Sequence, residues 1–233
     1  MPYVNESVAI PTVPVQRNCS AEVAKFTNGA SGSSWPLQED LLPHHLTCVL
    51  APETPMRDYI ANPPVRTDIT EGQPGVAFTV DIGVMDTTTC KPLQNVMVEL
   101  WGPNAVGEYG STFLRGATQT GSNGIAEFQT IFPGFTTGAA NHLSMLVHST
   151  SSKSSGVVHS GQLFFTDPWT GDRYINYNEN KNVRMKNAAD PNFAAANKNG
   201  FNSIMDTESI NDDWPEGIIG YLTVGVDPTK LVA

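Results

Sequence analysis

Positive charge is scarce in this sequence. Thirteen Lys and Arg face 23 Asp and Glu, for a formal net charge of −10, and the basic residues form no cluster. A phosphate backbone would find nothing to neutralise it, so no nucleic acid is expected as a partner. Long apolar runs are missing too. None reaches the ~20 residues that a bilayer-spanning helix needs, so no membrane partner is expected. The opening MPYVNESVAI lacks a basic stretch followed by an apolar one and does not read as a signal peptide. Cysteine is limited to Cys19, Cys48 and Cys90, which leaves one over after any pairing. Cys48 and Cys90 both sit at strand edges and could pair, leaving Cys19 free or intermolecular. No repeated helical period, internal repeat or domain linker is found.

What is present is turn chemistry and alternation. Seventeen Pro and 20 Gly are spread along the chain, which favours many short strands over a helix bundle. With 233 residues and a hydrophobic fraction of 39%, one sizeable core is within reach. Residues 1–46 read as an arm with a short helix, AEVAKF, capped by Ser20 and ended at Asn28-Gly29. Asn5-Glu6-Ser7 and Asn18-Cys19-Ser20 are glycosylation acceptors, which points to the secretory route with the cytoplasm as the alternative. Residues 47–75 are extended and Pro-rich, a run that wraps a surface or lines a cleft. Strands are expected at Val76–Met85, at Val96–Trp101 with Val96, Val98 and Leu100 on one face, in IAEFQTIF, LSMLVHS and GVVHSGQLFF, and at Gly217–Val226. Residues 102–124 read as a long loop, and 167–216 as irregular with at most short helices. The fold class is all-β, a β-sandwich over residues 47–233 with an N-terminal arm and long irregular loops.

The pieces CVLAPE, VRTDITEG, TTTCKPLQNVMVELW, AVGEYGSTFLRG, GIAEFQTIFPG, HSGQLFF and GIIGYLTVGVDPT follow one another over roughly residues 47–230. In order and spacing this set resembles the intradiol ring-cleavage dioxygenases, especially their fungal secreted branch. The resemblance implies a β-sandwich that holds Fe(III) on two tyrosinates and two imidazoles and opens catechol-type rings with O2. The first Tyr of the family follows W-h-x-x-a-x-G-x-Y and lands on Tyr109. The second Tyr, an Arg and both His come from P-G-w-Y-x-G-R-x-x-H-x-H. Here that stretch reads PGFTTGAANHLS, so Thr136 stands for the Tyr, Ala139 for the Arg, His142 for the first His and Ser144 for the second.

Two of four ligands therefore survive. Thr136 and Ser144 are neutral alcohols that hold their protons near pH 7, so they are poor replacements. The family's Trp-His is Trp101-Gly102, and its cleft-lining E-G-P-Y-Y is Met56-Arg57-Asp58-Tyr59-Ile60. His148 shares a strand face with His142 but lies roughly 20 Å along it, too far to replace a ligand. His159 precedes GQLFF on a later strand and could approach as a lining residue. Arg115, in TFLRG, reads as structural. His142, Ser144 and Asp58 do not make a hydrolase triad, because Ser144 lacks the sharp turn that exposes a nucleophile.

The expectation drawn from this subtraction is a degenerate iron site reused without metal or other cofactor. Tyr109 and His142 would act as acid and base, with Asp58 as a further candidate. Arg57, Tyr59, Trp101, Phe135, Thr136, Ser144, His159 and Gln162 would contact a phenolic or polyketide-like intermediate. Such a protein would be a cyclase, isomerase or dehydratase, including pericyclic steps, in a fungal natural-product pathway; a homodimer is admitted but not required. A non-catalytic binder of aromatic compounds is the second reading. A dioxygenase with a rearranged site is the third.

Overall fold

The computed structural model describes residues 52–172, 177–198 and 201–232. The expected helix at AEVAKF, both glycosylation acceptors, Cys19 and Cys48 lie outside them. Nine strands form two sheets among the described residues. In the first, β1 (Ala77–Asp86) pairs in parallel with β9 (Ile218–Val226), whose other edge carries the short antiparallel β8 (Asp206–Ser209). The free edge of β1 takes β5 (Ile125–Ile131) along most of its length and the two-residue β2 (Lys91–Pro92) at its end. The second sheet is antiparallel throughout, in the order β4 (Arg115–Gln119), β3 (Met97–Trp101), β6 (His142–His148), β7 (Val157–Phe164).

Alternation explains the first sheet. Phe78, Val80, Ile82 and Val84 of β1 turn inward while their neighbours stay partly exposed, and β5 and β9 follow the same period of two. Facing them from the second sheet are Val98, Leu100, Leu143, Met145 and Val147, and together these fill one core. Phe78, Phe132 and Phe165 cluster there with ring centroids 4.5 to 5.7 Å apart. Burying that aromatic area contributes several kcal/mol per ring, about 1.5–3 each by area.

The second sheet departs from alternation. Every residue of β3 and β6 is buried, and all of β7 except its first. Its outer face is therefore covered as well, by the chain before β1 and by the long loops. Val65 bridges to Ala117 and Asp68 to Gln129, so the Pro-rich segment does lie along the sheets. That covered outer face carries Glu99, Trp101, His142, Ser144, His148 and Gln162, residues a β-sandwich ordinarily leaves to water.

Three strands had no sequence signal. The two-residue β2 lies between the first two expected strands, β4 inside the expected loop and β8 inside the expected irregular stretch. Gly116 makes β4 possible, since a Cβ there would meet Ile69 Cγ2 at 2.3 Å. Cys90 is disulfide-bonded, while the expected pairing with Cys48 falls outside the described residues.

Candidate active site

The register of the second sheet places four side chains in one row on its outer face: Arg115 opposite Trp101, Trp101 opposite Ser144, and Ser144 opposite Gln162. His142 stands in the next row, opposite Phe164, with the two rings 5.5 Å apart. Its Nδ1 lies 2.7 Å from the Ala140 carbonyl. A carbonyl only accepts, so Nδ1 carries the proton and Nε2 presents a lone pair. The Gln162 amide nitrogen donates to that lone pair at 3.1 Å. Burial pushes the His142 pKa down, against the Ala140 hydrogen bond and the Asp190 charge, so the ring is neutral near pH 7. Ser144 Oγ and Gln162 Oε1 are enclosed without a hydrogen-bond partner among the described residues.

A turn at Arg57–Asp58 covers the row. Asp58 adopts the left-handed conformation, with φ 53°. Trp101 Nε1 donates to the Arg57 carbonyl at 2.9 Å, and the Tyr59 ring sits 5.4 Å from the indole. The Arg57 and Asp58 side chains are exposed, and their charges act on both Tyr109 and His142. Tyr109 is partly buried in the loop before β4. Loss of water raises its pKa well above the ordinary phenol value, the Asp58 charge raises it further, and Arg57 and Arg115 oppose them. Tyr109 is thus a protonated phenol at any physiological pH. Arg115 Nε donates to the Gly110 carbonyl at 2.6 Å and so fastens the Tyr109 loop to β4.

Phe135 and Thr136 are half-buried on the loop between β5 and β6. The Phe135 carbonyl accepts from Asn180 Nδ2 at 2.9 Å, and Gly134 N donates to the Asn104 carbonyl of the Tyr109 loop at 3.2 Å. His159 does not join the row. Its register partner is Val147, a core residue, so it leaves β7 on the opposite face from Ser144 and Gln162. Its Nδ1 lies 3.0 Å from Glu53 Oε1 at the sheet edge.

No family model matches the chain, and no curated protein sequence matches it significantly. Solved structures do. The intradiol ring-cleavage dioxygenase from Tetranychus urticae is 27% identical and superposes with a TM-score of 0.68, over 79% of this chain and 97% of that one. The dioxygenase domain of a dioxygenase carbohydrate-binding protein fusion from Streptomyces sp. SirexAA-E is 25% identical, with a TM-score of 0.55 over 75% and 96%. Catechol 1,2-dioxygenase from Pseudomonas arvilla C-1, 19% identical with a TM-score of 0.52, covers 76% of this chain over 62% of its own and shares the fold. This is an intradiol ring-cleavage dioxygenase fold.

The intradiol dioxygenase fold implies ferric ion, and the donors present do not fit it. At the positions that the motif resemblance assigns to a tyrosinate and an imidazole stand Thr136 and Ser144, whose oxygens are neutral, and Ser144 Oγ is enclosed beneath the cover. The one imidazole in register has its ligating lone pair taken by Gln162. Among the described residues no group of three or more His, Cys, Asp or Glu is placed to hold a metal. Nor is the family's Trp-His easily restored, since a Cβ on Gly102 would meet Leu143 Cδ2 at 2.4 Å.

Two buried groups escaped sequence reasoning. Glu99 and His148 form a pair 2.9 Å apart on the outer face, with side chains 1% and 3% exposed. Arg115 joins the site because β4 exists. The signal for Glu99 was available: a carboxylate inside the apolar run VMVELW, beside a strand that ends in His148.

Proposed function

We propose that this intradiol dioxygenase-like protein is a metal-free enzyme of the lyase or isomerase type: a cyclase, isomerase or dehydratase acting on a phenolic or polyketide-like intermediate. The observation that carries this reading is the Gln162 amide seated on His142 Nε2. An iron ligand position has become a neutral, hydrogen-bonded base. The chemistry left to the site is positioning and proton transfer. Tyr109, held protonated by burial, donates a hydrogen bond or a proton to a substrate oxygen. Asp58, exposed on the covering turn, is the carboxylate able to accept one. His142 Nε2 serves as the enclosed base once the Gln162 amide turns aside. Arg57, Tyr59 and Trp101 orient an aromatic ring at the cover. A fungal natural-product pathway is the setting that suits such chemistry. The disulfide at Cys90 supports passage through an oxidising compartment.

One observation favours a second reading, a non-catalytic binder of aromatic compounds. His142, Ser144 and Gln162 lie sealed beneath Trp101 and the covering turn, so a ligand held at Tyr109 need not reach them.

Metal-stripped protein assayed by mass spectrometry against phenolic and polyketide-like intermediates separates the two. Turnover that falls by about 10²–10⁴ in Tyr109→Phe and in His142→Ala is the expected result. Unchanged turnover in both variants removes the assigned roles. Binding without product supports the binder.

A further inference from the structure

Arg115 carries unused hydrogen-bonding capacity at the site. The residue is 3% exposed. Its Nε bond to the Gly110 carbonyl is the only hydrogen bond of its side chain among the described residues. The guanidinium is thus buried, and neither terminal nitrogen has a hydrogen-bond partner among the described residues. Its register partner is Trp101, at the start of the row that runs to Gln162. The loop it fastens carries Tyr109, whose hydroxyl keeps its proton.

The backbone is also committed to this placement. Leu114, the residue before Arg115, is fully buried at φ 53°, a conformation that costs a non-glycine residue stability. It is held there by donating to the Ile69 carbonyl at 2.7 Å and accepting from Gly102 N at 3.1 Å.

A guanidinium presents its donors in a planar fork that fits a singly charged, delocalised oxygen. No carboxylate among the described residues is within ion-pair distance of Arg115, although the Asp58 and Tyr109 oxygens act on it through space. We propose that the terminal nitrogens of Arg115, together with the hydroxyl of Tyr109 on the loop that Arg115 fastens, bind a phenolate or enolate oxygen of the substrate. This rests on the reading of a phenolic or polyketide-like substrate given above, and it names the oxygen that the protein grips. Arg115 supplies the compensating charge and Tyr109 the neutral donor. Asp58, which shares the neighbourhood, opposes the anion and tunes its affinity.

The test uses metal-stripped full-length protein and 4-nitrocatechol, whose visible spectrum distinguishes phenol from phenolate. Titrations are run below the pKa of the free probe. Wild-type protein is expected to bind the probe as its phenolate. Arg115→Lys keeps the charge but loses the fork, and affinity falls about tenfold. Arg115→Met binds the probe only as the neutral phenol. Asp58→Asn, a change at an exposed turn, tightens phenolate binding severalfold. A wild-type complex that shows only neutral phenol, or a phenolate complex equally tight in Arg115→Met and in Asp58→Asn, overturns the proposal. A parallel sample incubated with ferric salt and then desalted, with no probe added, reports on the metal-free reading alone: stoichiometric iron retained by the protein would sink that reading and leave the Arg115 result standing.

Discussion

Glu99→Leu is the perturbation with the largest effect worked from this structure. His148 Nε2 faces Glu99 Oε1 at 2.9 Å and Nδ1 faces the Ser155 carbonyl at 3.1 Å. A carboxylate and a carbonyl both accept, so the protonated ring, with both nitrogens donating, is the form these partners favour. Burial opposes that charge and Lys153 opposes it further. The hydrogen bonds to Glu99 and Ser155 and the Glu99 charge outweigh them, and the His148 pKa is raised. Replacing the carboxylate by an apolar side chain leaves either an unpaired buried cation or a neutral ring whose Nε2 has lost its partner. Breaking a buried pair in this way costs about 3–5 kcal/mol, and at ~2–4 °C per kcal/mol for this size the melting temperature drops by roughly 6–20 °C. The sign with pH follows from the raised pKa. The stabilisation is fully present below the unfolded histidine value of about 6.5 and is lost as pH rises through the folded value. Thermal melts of wild type and Glu99→Leu between pH 5.5 and 9, roughly the span over which such a histidine titrates, should therefore differ most at the acid end and converge at the alkaline end. A double replacement, Glu99→Leu with His148→Leu, should regain most of the loss, because neither charge is left alone. A gap below about 1 kcal/mol at the acid end, or one that widens with pH, would refute this account.

Three further outcomes are expected. In nitrogen-resolved NMR, His142 should show the Nδ1-protonated neutral tautomer at pH 7 and titrate below the ordinary imidazole range, because burial lowers its pKa; stability tied to this ring is present above the unfolded value and declines as pH falls from there toward the folded one. Tyr59 titrates near 12, because of burial and the adjacent Glu99 carboxylate, and ultraviolet difference titration should show it moving toward 10 in Glu99→Gln. Phe132→Ala should cost about 3–5 kcal/mol in denaturant unfolding, since the ring is fully buried against Phe78 and Phe165.

Strands whose residues alternate or run apolar were legible. β1, β3, β5, β7 and β9 appear within two residues of the expected bounds, and β6 begins one residue earlier than LSMLVHS. β4 was hidden because Arg115–Gln119 has neither alternation nor bulk. It is a strand because β3 offers an edge and because Gly116 and the segment at Val65 can close over it. β8, Asp206–Ser209, is a polar strand whose ladder partner among the described residues is β9. At the site, Tyr109 and His142 were named from motif spacing, and Arg57 and Asp58 from their departure from the family pattern; the turn these two form had no sequence signal. The contact between Gln162 and His142 required the β6–β7 register. His159 was misplaced for the same reason. One residue of register decides which face a side chain takes, and spacing along the chain does not fix it.

The parallel ladder between β1 and β9 ties Phe78 to Ile218 and Asp86 to Val226. During synthesis, β1 emerges long before its neighbour, carrying a bare edge and the inward side chains Phe78, Val80, Ile82 and Val84. A chain stopped ahead of residue 218 would therefore offer that edge to other chains instead of forming a smaller sandwich, and clumping is its expected fate. Whatever chemistry the cover over Trp101 governs, it becomes available only after the last of these strands has arrived.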